Sequence, residues 1–341
     1  MRIIDGSIGE GGGQVLRTAL TLSMMTSQDL MINNIRYSRD RPGLRPQHLS
    51  AVKASAKICQ GATEGVEIGS TTIKFNPGRI TPGNYIFDVG TAGSVSLVFQ
   101  TIFLPLCFAG KISKISIIGG THVPWSPSYH YLSGNWLLFM EKLGFNINLS
   151  MVQAGYYPIG GGNLTGEIHP ITKSLGLNHI ERGKLKRVRG VSGYSNLPRN
   201  IGVRQRNQVI KRLGHKYPLT DIRIANIPSR NKGTFLVLIA EFEKSQGCFC
   251  GLGALGKPSE NVADEAIDSL EEFFSTEGVV DPYLADQLLL PLAFAESDST
   301  YVTSKVTQHL ITNAAVIKEF LPIKIDILGE KGKPGKVSVK I

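Results

Sequence analysis

The sequence predicts an α/β protein of the α+β kind: a large domain of three repeated helix-strand-helix-strand-strand units, with a small inserted α/β domain. Two observations predict it. Helical and strand-like periodicities recur in one order three times, and that order breaks down between about residues 184 and 277. At 341 residues and 42% hydrophobic content, the chain is long for one core and has apolar surface enough for two. The expected boundaries are 1–183 with 278–341 for the large domain and 184–277 for the insert.

A strand at Arg2–Asp5 leads into a glycine turn. The first unit then reads as helix Gln14–Thr26, strand Leu30–Arg36, helix Pro46–Gln60 and the strand pair Thr63–Gly69 and Ser70–Asn76. The second reads as Gly93–Ala109, Lys114–Gly119, Ser126–Leu143, Phe145–Gln153 and a strand after Gly162. The third begins near Pro282 with a Leu-rich helix. It continues through Thr300–Thr303, the helix at His309, Ile323–Leu328 and Lys336–Ile341, with Gly332-Lys333-Pro334-Gly335 as the hairpin signal. Packing three sheets around shared helices would bury every amphipathic face. In the insert, Thr234–Phe242 reads as a buried strand and Ala263–Phe274 as an amphipathic helix.

The formal charge is 37 − 27 = +10. From Arg182 to Lys216 there are eleven Lys and Arg and no acid, so the rest carries 37 − 11 = 26 basic against 27 acidic residues. One segment holds the whole surplus, as expected for a phosphodiester partner rather than a merely solvated face. Cys59 and Cys107 lie in apolar helical stretches. Cys248-Phe249-Cys250 has the wrong spacing for a zinc knuckle and is expected to alternate across a strand. Few cysteines fit a cytoplasmic compartment. Met1–Gly6 lacks a signal peptide's apolar core, and Val95–Gly110 is interrupted by Gln100 and Pro105, so no membrane association is expected.

Three segments carry candidate chemistry. In Gln308-His309-Leu310-Ile311-Thr312-Asn313, His309 starts a helix with Thr307 as its cap. The positive dipole end disfavours a cation there, which keeps the imidazole neutral and nucleophilic. Gly9-Glu10-Gly11-Gly12-Gly13-Gln14 is a glycine turn opening a helix, where free N–H groups can meet phosphate. It is not the dinucleotide fingerprint, because Gln14 stands where the third glycine would fall. Glu10 beside an anion makes sense if a divalent metal bridges them. Gly251-Leu252-Gly253-Ala254-Leu255-Gly256-Lys257-Pro258 is a decoy phosphate loop, since Pro258 replaces the magnesium-binding hydroxyl.

The His309 segment and the Gly9–Gln14 turn resemble the RNA 3′-terminal phosphate cyclase family, in register with four others. They are Arg41-Pro42-Gly43-Leu44-Arg45-Pro46-Gln47-His48-Leu49, Gly90-Thr91-Ala92-Gly93-Ser94 with Gln100, Tyr156-Tyr157-Pro158-Ile159-Gly160-Gly161-Gly162, and Asp286-Gln287-Leu288-Leu289-Leu290-Pro291. The resemblance is weakest between about 184 and 277. It implies a three-step reaction on an RNA bearing a 3′-terminal phosphate. His309 attacks the α-phosphate of ATP, the RNA phosphate takes the adenylyl group, and the neighbouring 2′-hydroxyl expels AMP to close a 2′,3′-cyclic phosphate.

The same resemblance implies residue roles. Glu10 corresponds to a metal-binding carboxylate for Mg²⁺ or Mn²⁺. Gln14, Arg17, Arg36, Arg39, Gln47 and Gln100 match polar positions of the phosphate region, with Arg36, Arg39 and Gln47 on the RNA phosphate. Tyr283 and Pro127 match the walls of an adenine slot, and Asp286 with Gln287 the nucleoside contacts. Pro46 is expected to start a helix; whether Arg45 reaches the site is open, as is self-association. Two alternatives stand beside this reading. A non-catalytic cyclase-like RNA-processing factor would lack the histidine, whereas His309, Glu10, Arg36 and Arg39 are all present. An enolpyruvyl-type transferase of related fold would leave the basic stretch and the His309 segment without a purpose.

Overall fold

The computed structural model describes residues 1–341. The first unit comprises β1 (Arg2–Asp5), α1 (Gly13–Thr26), β2 (Leu30–Asn33), α2 (Pro46–Cys59), β3 (Ala62–Glu64) and β4 (Ile73–Asn76). The second runs β5 (Asn84–Asp88), α3 (Val95–Cys107), β6 (Ser113–Gly119), a composite helix, β7 (Ile147–Gln153) and β8 (Gly162–Ile168). That composite helix is α4 (Tyr129–Tyr131), a π-turn at Leu132–Trp136 and α5 (Leu137–Lys142). The third opens with the two-residue β9 (Asn178–His179). It is then interrupted by β10 (Leu185–Ser195), α6 (Asn200–Leu213), β11 (Leu219–Asn226), β12 (Gly233–Phe242), β13 (Gln246–Leu252) and α7 (Ser259–Phe274). It resumes with α8 (Pro282–Leu292), β14 (Ser299–Thr303), α9 (Gln308–Phe320), β15 (Lys324–Leu328) and β16 (Gly335–Lys340).

Each unit therefore begins one strand earlier than the periodicity predicts. The sheets are ordered β1-β2-β4-β3, β5-β6-β8-β7 and β9-β14-β16-β15, the same pattern each time. In each, the leading strand pairs parallel with the next and the remaining pairs are antiparallel. The inserted segment leaves the chain after β9, so the third unit's first strand lies before it. Thr63–Gly69 is shorter as a strand than expected: Gly65 at φ 70 and Gly69 at φ 83 turn the backbone away after Glu64.

Helix α1 packs against α2, α3 and α9, and α8 packs against α9. Nearly every residue of α1 is buried, from Gln14 to Met24, which is why its apolar stripe is wide rather than one-sided. This shared helical layer belongs to a core of 65 buried residues. The inserted segment buries a separate cluster of 14, in which α6 and α7 cover one face of the sheet β11-β10-β12-β13. No helix is long and apolar enough to cross a membrane.

The basic stretch Arg182–Lys216 falls on β10 and α6, and much of it is already paired. Arg187 and Arg189 meet Glu241, Arg204 meets Glu260, Arg212 meets Asp264, Asp268 and Glu271, and Lys216 meets Glu271. Arg182, Lys184, Lys186, Arg199, Arg206 and Lys211 of the same stretch form no ion pair.

Candidate nucleotidyl-transfer site

Helix starts and ends from distant units meet at His309. Thr307 caps α9, its hydroxyl accepting the Leu310 N–H at 3.1 Å. Asp281 caps α8, accepting the Tyr283 and Leu284 N–H groups at 3.0 Å each, with Pro282 pre-set at the first helical position. The glycine turn brings α1 in from the other side. A Cβ at Gly9, which sits at φ +67, would lie 1.9 Å from Thr312 Oγ1, and one at Gly13 would lie 2.2 Å from His48 Nε2. Only glycine lets this turn lie against α9 and His48.

The residues so gathered form one hydrogen-bonded line. Asp286 Oδ2 accepts from Gln14 Nε2 at 2.7 Å, and Gln14 Oε1 lies 2.7 Å from His309 Nδ1. An ionised carboxylate only accepts, so it draws the amide NH₂ of Gln14 and turns the amide oxygen toward the imidazole. That oxygen in turn requires the proton on Nδ1, assigned here from the network, and leaves a lone pair on Nε2. Nε2 faces Glu10 Oε2 at 3.1 Å, and Glu10 Oε1 reaches Arg39 at 3.5 Å. Two acceptors face each other there, an arrangement relieved by a proton or a cation. Below this line, Asn313 donates to the Asp286 carbonyl and accepts from Thr18 Oγ1, both at 2.7 Å.

Electrostatics favour the neutral imidazole. Burial pushes the His309 imidazole below its ordinary value; Glu10 opposes this, and Arg17 and Arg39 add to it. The direction agrees with the sequence expectation. Burial also lowers Arg17 to about 10, against the pull of Asp286 and Glu10, and raises Asp286 to about 7.

A cavity of about 410 Å³ opens beside His309. Gln14, Arg17, Gln100, Pro127, Tyr283, Asp286 and Gln287 all line it, as does His309 itself. Gln100 donates to Gln287 at 2.5 Å, and Gln287 donates to the Tyr283 carbonyl at 2.6 Å, which fixes the half of the wall that carries the exposed Tyr283 ring. Glu10, Arg36, Arg39 and Gln47 do not line this cavity; Glu10 and Arg39 approach His309 from outside it. Arg36 is partly committed, since one of its Nη atoms donates to the carbonyls of Arg41 at 2.6 Å and Gly43 at 3.1 Å. Gln47 Oε1 accepts the Ser94 N–H at 3.1 Å. Arg45 joins the same field, because burial followed by Arg45 and Arg39 lowers Arg36.

Three features escaped the sequence reading. Asn313 stands four residues after His309 and Thr18 four after Gln14, a spacing that shares a helix face and could have flagged both. Trp125 lines the cavity with its ring 99% exposed and its backbone at φ 64, for which no local signal exists. Cys248 and Cys250 do not alternate: two apart on β13, they share one face and both line the cavity, while Phe249 turns to Phe273 at 5.4 Å. Lys257 of the decoy loop pairs with Glu265 at 2.5 Å and bonds the Leu252 carbonyl, so it cradles no phosphate.

Comparison with known proteins shows the family. The sequence profile of the RNA 3′-terminal phosphate cyclase family matches residues 8–327. The chain is 42% identical to a protein of Trichormus variabilis described as RNA 3′-terminal phosphate cyclase, over 93% of both chains. It is 39% identical to one of Methanopyrus kandleri, covering 99% of this chain and 98% of that one, and 38% identical to one of Thermococcus onnurineus over 99% of each. These two carry the same description. The chain belongs to the RNA 3′-terminal phosphate cyclase family.

Proposed function

We propose that this protein converts the 3′-terminal phosphate of RNA to a 2′,3′-cyclic phosphodiester at the expense of ATP. One observation carries the reading most directly: a lone pair on His309 Nε2, fixed by the Gln14–Asp286 line, at the mouth of a nucleoside-sized cavity. In the first step Nε2 attacks the α-phosphorus of ATP; an N–P bond forms, a P–O bond breaks, and pyrophosphate leaves. In the second a 3′-phosphate oxygen of the RNA attacks the same phosphorus and the N–P bond breaks. In the third the 2′-oxygen attacks the 3′-phosphorus, loses its proton and expels AMP. A phosphate monoester has no good leaving group until such an anhydride is built on it, and the covalent histidine divides the exchange into easier steps.

Tyr283 and Pro127 would flank the adenine, with Gln100 and Gln287 behind it. Arg17, Arg36, Arg39 and Gln47 would hold phosphate oxygens, for which the guanidinium fork is suited. No cluster of three His, Cys, Asp or Glu side chains exists to cage a metal. The fit is that of Mg²⁺ or Mn²⁺ held by Glu10 together with substrate phosphates and water, where it would offset the triphosphate charge. Residues 1–183 with 278–341 act as the catalytic domain and 184–277 as an inserted domain, a division supported by the separate cluster of 14 buried residues. Four free thiols fit a cytoplasmic setting.

The end chemistry tests the proposal. An RNA whose last nucleotide is 2′-deoxy but 3′-phosphorylated should stop as an adenylylated end, while the ribose counterpart cyclises. Equal conversion of both, with no capped species, would contradict it.

A further inference from the structure

The strand behind the reacting end needs a path, and Arg187, Arg189, Arg204, Arg212 and Lys216 of the basic stretch are already held by carboxylates. A different surface leads away from the phosphate region. Gln47 binds Ser94 N, and the adjoining Thr91-Ala92 backbone lies directly against Gly160: a Cβ there would be 2.6 Å from Thr91 O and 2.8 Å from Ala92 Cα. Next along, Arg230 Cδ lies 3.6 Å from the side-chain position of Gly161. The loop bearing Arg230 is fastened on both sides: Ser229 Oγ donates to Ala154 O and Asn231 Nδ2 to Tyr156 O, each at 2.9 Å.

This line has what a single strand requires. The N–H groups of Thr91, Ala92 and Gly161 donate to no protein acceptor. Arg230 and Lys232 are exposed and form no ion pair, unlike Arg187, Arg189, Arg204, Arg212 and Lys216. Tyr157, next in the chain to the Tyr156 that Asn231 and Gly233 contact, is 73% exposed. Asp88, the neighbouring carboxylate, is turned to the Gly90 N–H at 2.7 Å. Free backbone donors, unpaired cations and an exposed ring together suit phosphates and a stacked base.

We propose that the RNA 5′ of the reacting phosphate runs from Gln47 over Thr91-Ala92 and Gly160-Gly161 to Arg230 and Lys232, with one base stacked on Tyr157. This rests on the cyclase reading and adds the surface that holds the substrate. The test uses the full-length protein, a short single-stranded RNA with a 3′-phosphate, and a nucleoside 3′-monophosphate too small to reach Arg230. In Arg230→Ala the RNA affinity should fall and its log–log salt slope should flatten by about 0.7, the value of one lost single-strand phosphate contact. In Tyr157→Ala the RNA affinity should fall about 5-fold or more, the low end of one stacked base. In both, the affinity gained from mononucleotide to RNA should shrink.

A double change of the exposed, unpaired Lys186 and Lys211 to Ala serves as the rival path. If that variant loses RNA while Arg230→Ala and Tyr157→Ala bind as wild type, the strand follows β10 and α6 and the proposal is overturned. If both site variants lose the mononucleotide equally, their effect is not on the strand and the proposal also fails. A wild type that takes no label from ATP and closes no RNA end overturns the cyclase reading itself, whatever the variants do.

Discussion

Gln14 offers one amide to two neighbours, and its two ends are chemically different. With Asp286 ionised, the NH₂ end is claimed by the carboxylate and the oxygen is left for His309 Nδ1. With Asp286 protonated, the amide can reverse, which moves the imidazole proton to Nε2 and removes the lone pair that the proposed first step uses. Burial raises this carboxyl to about 7 despite the nearby Arg17 and the Gln14 bond, with Asp281 adding to the rise. Self-adenylylation should therefore climb as pH rises through about 7. Asp286→Asn should lower its rate about 10²-fold or more, the scale of a histidine held in the wrong tautomer, and should lose that pH step. Stability should move the other way. A carboxyl raised above its ordinary range contributes stability at acid pH that is lost as pH rises through its folded value. The Asn variant should thus melt higher than wild type above pH of about 7, by roughly 2–4 °C per kcal/mol, and show no such gain at about pH 4. A variant that adenylylates at the wild-type rate would dismiss the relay.

The segment Val123–Pro127 holds Trp125 at a left-handed φ of 64, a conformation that costs a bulky residue roughly 1–2 kcal/mol. The ring is thereby kept on the cavity rim beside Pro127 and Tyr283. The only other tryptophan, Trp136, is fully buried at the cavity's inner wall, packed edge-on against Phe99 and Phe103. In Trp136→Phe, where Trp125 alone reports, ATP should change the intrinsic fluorescence; no change in that variant would place the base away from this rim. Such a segment shows why elements were unequally legible. Helices α1, α2, α8 and α9 declare themselves through periodic apolar faces. Strand β9 has two residues and β5 follows Pro77 and Pro82, so neither makes a pattern long enough to read. Helix α6 buries only Gly202, Gln205, Val209 and Leu213, and its charges mask its period. The site was legible as separate motifs, joined through family resemblance. The contact of Gln14 with Asp286 spans 272 positions and that with His309 spans 295, and no local pattern encodes either.

Across the whole molecule, β12 and β13 place Phe235, Val237, Ile239 and Cys248 in the larger core, where Phe235 meets buried histidines. His122 stacks on Phe235 of β12 with centroids 4.2 Å apart, and its Nε2 lies 2.8 Å from His130 Nδ1. Only one proton can lie between the two rings, so they cannot both be cations with their N–H groups facing each other. Burial, with Arg223 facing it, lowers His130 to about 4, and burial followed by His130 lowers His122. A depressed histidine contributes stability above its ordinary value of about 6.5 that is lost as pH falls through the folded value. Limited proteolysis should therefore release the inserted segment increasingly between about pH 6.5 and pH 4, and His130→Gln should blunt that acid limb. An unchanged acid limb would assign the loosening elsewhere. The central claim concerns the whole catalytic assembly, since His309 depends on groups from α1, α8 and the glycine turn. It is tested most directly by incubating the protein with ATP labelled at the α-phosphate and separating it under denaturing conditions. The label should stay with wild-type protein, come off in acid rather than mild base as a phosphoramidate does, and be absent from His309→Ala. Label retained by His309→Ala would contradict the account.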